Sequence, residues 1–191
     1  MAQPKNWPTR LPYLSAPVHS RLLTPAQQQA VSQKPADLPD IPAQATILPS
    51  PLVKIMPITD AGHPAKGQSG LFATRHLKPG TFVLPYLGTV HPEMPSQSDY
   101  DLWLDREAEI AVDADKSGNE ARFVNDYRGA ADRPNAEFRE VWCQKFRQRC
   151  MAVWVLPEGK NGRGKGGIGK GEEILISYGK GFWGGRKNHQ S

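Results

Sequence analysis

The stretch from Gly118 to Asn135, GNEARFVNDYRGAADRPN, sets an apolar run directly against residues that form turns and hydrogen bonds. The run RFV ends at Asn125 and Asp126, an amide and a carboxylate, and the phenol of Tyr127 follows. A packed strand that stops abruptly in hydrogen-bonding groups indicates a binding or reaction site more than an ordinary turn. We therefore expect this stretch to contribute polar groups to a functional site.

Three further segments combine glycine with polar or aromatic residues, and they occur in a fixed order along the chain. The segment GQSGLFATR places glycines at 67 and 70 ahead of an apolar strand, and PYLG places Tyr86 at a strand end. The segment GEEILISYGKGFW ends a strand at Tyr178 and continues into two aromatic residues. Each segment alone is explained by a turn or a strand end, whereas the set indicates one shared site.

Taken together, the four segments resemble the SET-domain lysine methyltransferases. In that family a glycine-rich loop for S-adenosylmethionine precedes GLFA, and the later segments read EYxG, GNxARFxNHSCxPN and GEELxFxYG. The resemblance covers residues 52–185 and depends mainly on the third and fourth segments. It implies a mainly β structure, the SET-domain β-clip fold of small sheets with few short helices. It also implies a pseudoknot-like threaded C-terminal region, a crossing that chains rarely form without a functional reason.

The resemblance implies an S-adenosylmethionine-dependent protein-lysine N-methyltransferase, with a histone lysine as the expected substrate. The implied cofactor is S-adenosylmethionine, and the transfer needs no metal. The implied catalytic residues are Tyr178 and Tyr86, the second lining the lysine channel. The implied cofactor-binding residues are Gln68, Ser69, Gly70, Leu71, Arg122, Phe123, Asn125, Asp126, Tyr178 and Trp183.

Methyl transfer to lysine requires a neutral amine. The reference pKa of lysine is about 10.4, so neutralising it at pH 7 costs about 4–5 kcal/mol. A narrow apolar channel lowers that pKa by desolvation, and the positive charge of the sulfonium lowers it further by repulsion. Aromatic walls then orient the amine, and positioning supplies much of the remaining rate gain.

Several positions depart from the family pattern. Gln68 stands where the family usually has glycine, Pro85 replaces the glutamate of EYxG, and Asp126 replaces the histidine after the asparagine. Residues 128–133 lengthen the loop before Pro134. Because these changes bear on cofactor affinity and substrate choice, they leave an alternative open: a catalytically degenerate SET domain that binds a histone tail or another partner.

Composition limits the setting of the protein. The 191 residues carry a net charge of +5, which suits either a moderately basic soluble protein or one with an anionic partner. Cys143 and Cys150 are spaced outside the common zinc patterns. A chain with only two cysteines is more typical of a reducing compartment, although a disulfide between them is possible. No apolar run approaches membrane-spanning length. We expect a monomer without membrane association, in the nucleus and secondarily in the cytoplasm.

A glycine-rich stretch, EGKNGRGKGGIGKG, has glycines spaced as in a dinucleotide-binding fingerprint. That motif must open a helix, but a strand-like segment follows here, so we interpret the stretch as a flexible basic loop. Its cations could make weak contacts with nucleic acid or nucleosomes. They are Lys160, Arg163, Lys165 and Lys170.

The chain divides into three predicted parts. Residues 1–51 are rich in proline and glutamine and are predicted to form a disordered tail, with one short helix capped by Thr24 and begun by Pro25. Residues 52–185 form the predicted SET domain, and residues 186–191 a basic C-terminal tail. Within the domain we predict short strands at LVKIMPI, at two runs of GLFATRHLKPGTFVLPYLG that the turn KPG separates, and at YDLWLD, EIAVDAD, ARFVN, CMAVWVLP and GEEILISYG.

Two features of the domain stay open at this point. The segment AEFREVWCQKFRQR has patterns of both a helix and a strand. A cluster of acidic residues could form a groove for a basic peptide or could be a solvated face. Its members are Asp99, Asp101, Asp105, Glu107 and Glu109.

Overall fold

The computed structural model describes residues 3–92, 98–159 and 166–178. Strands dominate these ranges, so the predicted mainly β fold with few short helices is confirmed. Two short 3₁₀ helices span Ala43–Ala45 and Glu120–Phe123. The other elements, in chain order, are β1 Val18–His19, α1 Pro25–Ser32, β2 Asp40–Ile41, β3 Val53–Pro57, β4 Ser69–Ala73, β5 Phe82–Pro85, β6 Thr89–Pro92, β7 Asp101–Asp105, β8 Ile110–Asp113, β9 Asn125–Asp126, β10 Ala136–Cys143, β11 Gln148–Val155 and β12 Leu175–Ile176.

The strands form small sheets, as the family resemblance implies. One sheet has the order β1-β6-β8-β7, another has β2-β10-β11-β5, and β3-β4 and β9-β12 are two-stranded. The antiparallel hairpin of β10 and β11 shows that AEFREVWC is a strand, which decides between the two patterns of that segment. Strand pairing prevails because Val141 and Cys143 are both buried on one face, two residues apart. Cys143 and Cys150 are free thiols in this hairpin.

The short strands β9 and β12 bring the C-terminal segment beside the middle of the chain. They pair in parallel, with Leu175 opposite Asn125 and Ile176 opposite Asp126. Asn135 supports the same crossing, since its amide donates to the Glu173 carbonyl and accepts from the Leu175 N–H, each at 2.8 Å. The predicted threading of the C-terminal region is therefore present.

The prediction that ARFVN forms a strand is wrong for most of its length. Residues Glu120–Phe123 form a 3₁₀ helix, and strand β9 begins only at Asn125. In a strand, neighbouring residues point to opposite faces, but Phe123 and Val124 are adjacent and both buried. The tighter turn satisfies both side chains and delivers Asn125 at its end.

The N-terminal segment, residues 3–51, is called the strap below. The prediction that it is a disordered tail is wrong for these residues. Trp7 belongs to the main hydrophobic core and packs edge-on against Phe123 at 5.6 Å between ring centroids. Strand β1 extends one sheet by pairing in parallel with β6. Prolines prevent long regular elements, but single apolar residues between them are still buried against the domain.

The predicted short helix of the strap is confirmed as α1. Thr24 is its N-cap and Pro25 its first residue, and Thr24 and Gln27 form a reciprocal capping box. Val31 is the residue of α1 that is buried, at 1% exposure. No helix in the described ranges is long and apolar enough to cross a membrane. The boundaries 52–185 stay a prediction, and residues 186–191 lie outside the described residues.

A buried carboxylate connects the strap to the domain. Glu120 is 1% exposed, and its two oxygens accept from the Tyr13 hydroxyl at 2.9 Å and the Ser50 N–H at 2.7 Å. Burial, together with the nearby Glu120 charge, raises the pKa of Tyr13 above its ordinary range. Both donors belong to the strap, so the 3₁₀ helix before Asn125 depends on it for the solvation of its carboxylate.

Replacing Tyr13 with phenylalanine tests this dependence. The change keeps the ring that packs on Trp7 but removes one donor from Glu120, and a lost hydrogen bond to a charged group costs about 1.5–3 kcal/mol. We expect the free energy of unfolding in urea to fall by that amount. Tyr127→Phe is the matched control, since the Tyr127 hydroxyl has no hydrogen-bond partner among the described residues. Equal stability of the two variants would contradict the role of Tyr13.

Candidate active site

A cavity of about 410 Å³ lies where the β3–β4 loop, the second 3₁₀ helix and the C-terminal segment meet. Residues 99–100, which precede β7, also line it, so four chain segments that are far apart in sequence share one concave surface. Its lining residues are His63, Pro64, Ala65, Gln68, Ser69, Asp99, Tyr100, Arg122, Phe123, Asn125, Asp126, Arg128 and Tyr178.

The β3–β4 loop, residues 58–68, forms one wall of the cavity. It is closed at its base by two backbone hydrogen bonds between Ile58 and the pair Gly67–Gln68. Gly67 has φ of +84°, a conformation that glycine adopts without strain, while Gln68 is not among the residues with positive φ. The glycine that stands one residue early in the family pattern thus supplies the turn, and Gln68 is accommodated beside it.

Asn125 lies at the end of the 3₁₀ helix and on β9. Its Nδ2 donates to the Glu173 carboxylate at 2.8 Å, with a longer contact of 3.4 Å to the Ser69 carbonyl. An amide oxygen would be repelled by that carboxylate, so the orientation of the Asn125 amide is determined by Glu173. This arrangement leaves Oδ1 as the acceptor available to a ligand.

Tyr178 follows β12 and reaches the same cavity. Its hydroxyl donates to the Val124 carbonyl at 2.8 Å, and its backbone N–H donates to Asp126 Oδ2 at 2.7 Å. The carbonyl accepts a hydrogen bond from the hydroxyl, and the phenolic oxygen can itself act as an acceptor through its lone pairs. Asn125 and Tyr178 are thereby brought to one cavity by the crossing of β9 and β12.

Asp126, which stands where the family has histidine, accepts hydrogen bonds from both Tyr178 and Arg128. Besides the Tyr178 N–H, its carboxylate accepts from Arg128, by the backbone N–H at 2.9 Å and by Nη1 at 2.8 Å. The aspartate is therefore part of an ion pair and not an isolated charge at the cavity. This compensation explains how a carboxylate is tolerated in that place.

Arg122 contributes a second cation to the cavity lining. Its Nε donates to the Ala114 carbonyl at 3.0 Å, and its guanidinium lies 4.1 Å from the centre of the Tyr100 ring. A guanidinium over an aromatic face is stabilised by the ring quadrupole. The side chain is thus held from two sides while it lines the cavity.

Tyr86, Leu71 and Gly70 do not line this cavity. Tyr86 is 4% exposed and its hydroxyl donates to the Tyr100 carbonyl at 2.6 Å, so it supports a residue of the cavity wall. Burial, and next the proximity of Tyr178, raise the pKa of Tyr86 well above its ordinary value. Leu71 is fully buried in the main core. The predicted cofactor residue Trp183 lies outside the described residues, as do Lys160, Arg163 and Lys165 of the basic loop.

Gly70 has a structural reason to be glycine. A Cβ there would lie 2.4 Å from Oε1 of Glu173 and 3.0 Å from the Phe72 ring. Because Oε1 is the atom that accepts from Asn125, a side chain at Gly70 would displace the partner of Asn125. The glycine therefore acts on the site through Glu173.

The predicted site left out His63, Tyr100 and Arg128, which line the cavity, and Glu173, which contacts His63 and Asn125. His63 and Glu173 contact each other at 3.1 Å although 110 positions separate them, a distance that no local pattern reveals. The second glutamate of GEE was the available signal for Glu173. Within the described ranges, no three His, Cys, Asp or Glu side chains cluster closely enough to hold a metal ion.

The cavity fits the cofactor that the resemblance implies. S-adenosylmethionine carries an ammonium, a carboxylate, a sulfonium and an adenosine group. A volume of about 410 Å³ falls in the range of small-molecule sites, about 300–1,000 Å³. The lining offers both signs of charge together with aromatic surface, which matches a zwitterionic ligand with a planar base.

Solved structures similar to this chain include two of polycomb repressive complex 2. The crystal structure of the Chaetomium thermophilum polycomb repressive complex 2 is similar with 21% identity and a TM-score of 0.49, over 67% of this chain and 15% of that chain. An active polycomb repressive complex 2 in the stimulated state is similar with 21% identity and a TM-score of 0.48, over 66% and 15%. This chain thus spans about 15% of the length of these structures.

No curated protein is similar enough in sequence to be matched. The family model described as SET domain matches residues 68–179, which is more than half of the 191-residue chain. The matched region contains the β4 segment, the 3₁₀ helix with β9, and β12 with Tyr178. The protein belongs to the SET-domain family.

Proposed function

We propose that the protein is an S-adenosylmethionine-dependent protein-lysine N-methyltransferase. SET domains are generally enzymes of this class. The observation that carries the proposal is that Asn125 and Tyr178, distant in sequence, line the same cavity. When bound, the cofactor supplies a methyl group activated by its positively charged sulfur.

In this mechanism Tyr178 orients the substrate amine. Its hydroxyl proton is donated to the Val124 carbonyl, so the oxygen can accept a hydrogen bond from the lysine nitrogen. The substrate lysine would have to lose a proton to water before the transfer, and a bound sulfonium would favour that loss by charge repulsion. The neutral Tyr86 lies behind the wall, where its hydrogen bond holds the Tyr100 backbone in place.

Asn125 has the role of a cofactor ligand. Its Nδ2 is occupied by Glu173, and its Oδ1 can accept from the ammonium group of the cofactor. Arg122 and Arg128 offer positive charge for the cofactor carboxylate, and their own positions are held by Ala114 and Asp126. These contacts orient the donor, so that reaction needs only small rearrangement.

The substrate we propose is a lysine in a basic segment, with histone tails as the first to test. Of the acidic cluster, Asp101 pairs with His91 at 3.1 Å and Asp105 with Arg149 at 2.6 Å. Asp99 lines the cavity and is the member that lies nearest the proposed chemistry. A histone substrate, a nuclear location and a monomeric state remain predictions.

Binding of S-adenosylmethionine, measured by isothermal calorimetry, tests the cofactor site. We expect the wild type to bind and Asn125→Ala to bind about 10- to 100-fold more weakly, because a hydrogen bond to a charged group contributes about 1.5–3 kcal/mol. Tyr127→Phe is the control, since Tyr127 does not line the cavity. Absence of binding by the wild type would refute the cofactor site, and equal binding by Asn125→Ala would refute the role of Asn125.

A methyl-transfer assay tests catalysis, with labelled cofactor acting on core histones and on a cell extract. We expect Tyr178→Phe to lower the rate by at least about 100-fold, the size typical for a lost transition-state contact. Its affinity for S-adenosylmethionine should stay close to that of the wild type. Equal transfer by both proteins shows that Tyr178 has another role. Cofactor binding without transfer by the wild type favours a degenerate domain.

A further inference from the structure

The β3–β4 loop is a mainly exposed wall held by few side chains. Its residues from 59 to 68 are exposed except His63 and Ala65, which are partly buried. The backbone bonds at its base, between Ile58 and Gly67–Gln68, hold only the neck of the loop. Beyond the neck, Pro64 packs beside Gly129, and His63 makes a hydrogen bond to Glu173 that joins the tip of the loop to the rest of the domain.

The protonation of His63 follows from its neighbours. Its Nδ1 accepts from the Ala65 N–H at 3.0 Å, so the proton of the neutral ring lies on Nε2. Nε2 faces Oε2 of Glu173 at 3.1 Å and donates to it. The side chains of His63 and Glu173 are only 10% and 11% exposed, so water competes little for this hydrogen bond.

Glu173 connects His63 to Asn125, because its carboxylate accepts a hydrogen bond from each of them. One carboxylate oxygen accepts from His63 and the other from Asn125 Nδ2 at 2.8 Å. The bare Cα of Gly70 leaves the space that the carboxylate occupies, since a Cβ there would lie 2.4 Å from Oε1. The carboxylate is thus held in place and joins the loop to the β9 residue at the cavity.

We propose that His63 is a positioning residue, a latch that fastens the β3–β4 loop to Asn125 through Glu173 and so sets the affinity of the cavity for its cofactor. The part of this inference that concerns cofactor affinity rests on the proposed function. The latch itself is a property of the protein without ligand. In this role His63 acts through the loop and through the orientation of Asn125.

Two substitutions at His63 separate the latch from a local role in the turn. Glutamine reaches about as far as Nε2 and keeps a donor for Glu173, whereas asparagine reaches only as far as Nδ1 and keeps the acceptor for Ala65. For His63→Asn we expect S-adenosylmethionine to bind about 10-fold more weakly by calorimetry, about the loss of one charge-assisted hydrogen bond. His63→Gln should stay within about threefold of the wild type, because it keeps that bond.

The transfer rate at saturating cofactor adds a second measure. We expect this rate to change by less than about twofold in His63→Asn. The lost contact weakens cofactor binding equally in the ground state and in the transition state, so saturating cofactor compensates for it. Loss of binding in His63→Gln with retention in His63→Asn assigns His63 to the turn and overturns the latch. Equal binding by both variants and the wild type overturns it as well.

Hydrogen exchange without cofactor keeps the latch testable on its own. Glu173→Gln removes the charge of the carboxylate that accepts from His63 and so weakens the latch. We expect the amides of Lys66, Gly67 and Gln68 to exchange faster, by about 10-fold if the hydrogen bond between His63 and residue 173 is lost. Unchanged exchange overturns the latch whatever the cofactor does. If the wild type binds no cofactor, the proposed function and the affinity half fail together, while faster exchange still supports the latch.

Discussion

The parallel pairing of β9 with β12 is the contact on which the site depends. Each strand has only two residues, so their own hydrogen bonds cannot hold the crossing. Fully buried Ile174 and Ile176 and the two hydrogen bonds of Asn135 hold it in place. Without this crossing, Asn125 and Tyr178 would belong to separate parts of the surface, and Asp126 would lose the Tyr178 N–H.

Much of the fold could be predicted from the sequence, because its determinants are local. Alternating apolar residues marked strands such as β7, β8 and β11, and the Thr24 cap with Pro25 marked α1. The strap was missed because composition reports only the average tendency of a segment. Burial of Trp7 and Val31 depends on complementary space in the distant core, which no local pattern encodes.

The candidate site was predictable to a similar degree. Motif order led to Asn125, Asp126 and Tyr178, which line the cavity, whereas the connection of His63 to Glu173 depends on two loops meeting in space. The position of Tyr86 shows the same limit. Its motif indicates nearness to the site, but the direction of its hydroxyl is determined by the Tyr100 carbonyl, outside the motif.

The buried carboxylate of Glu120 affects how much of the chain is needed for a stable domain. Both of its donors precede residue 68, where the match to the family begins. A chain trimmed to that match would lose both of these hydrogen-bond donors, directly ahead of the residue proposed to bind the cofactor. We therefore expect the smallest stably folded form of this protein to be larger than the region that the family model matches, because the strap contributes Trp7, Leu23 and Val31 to the main hydrophobic core.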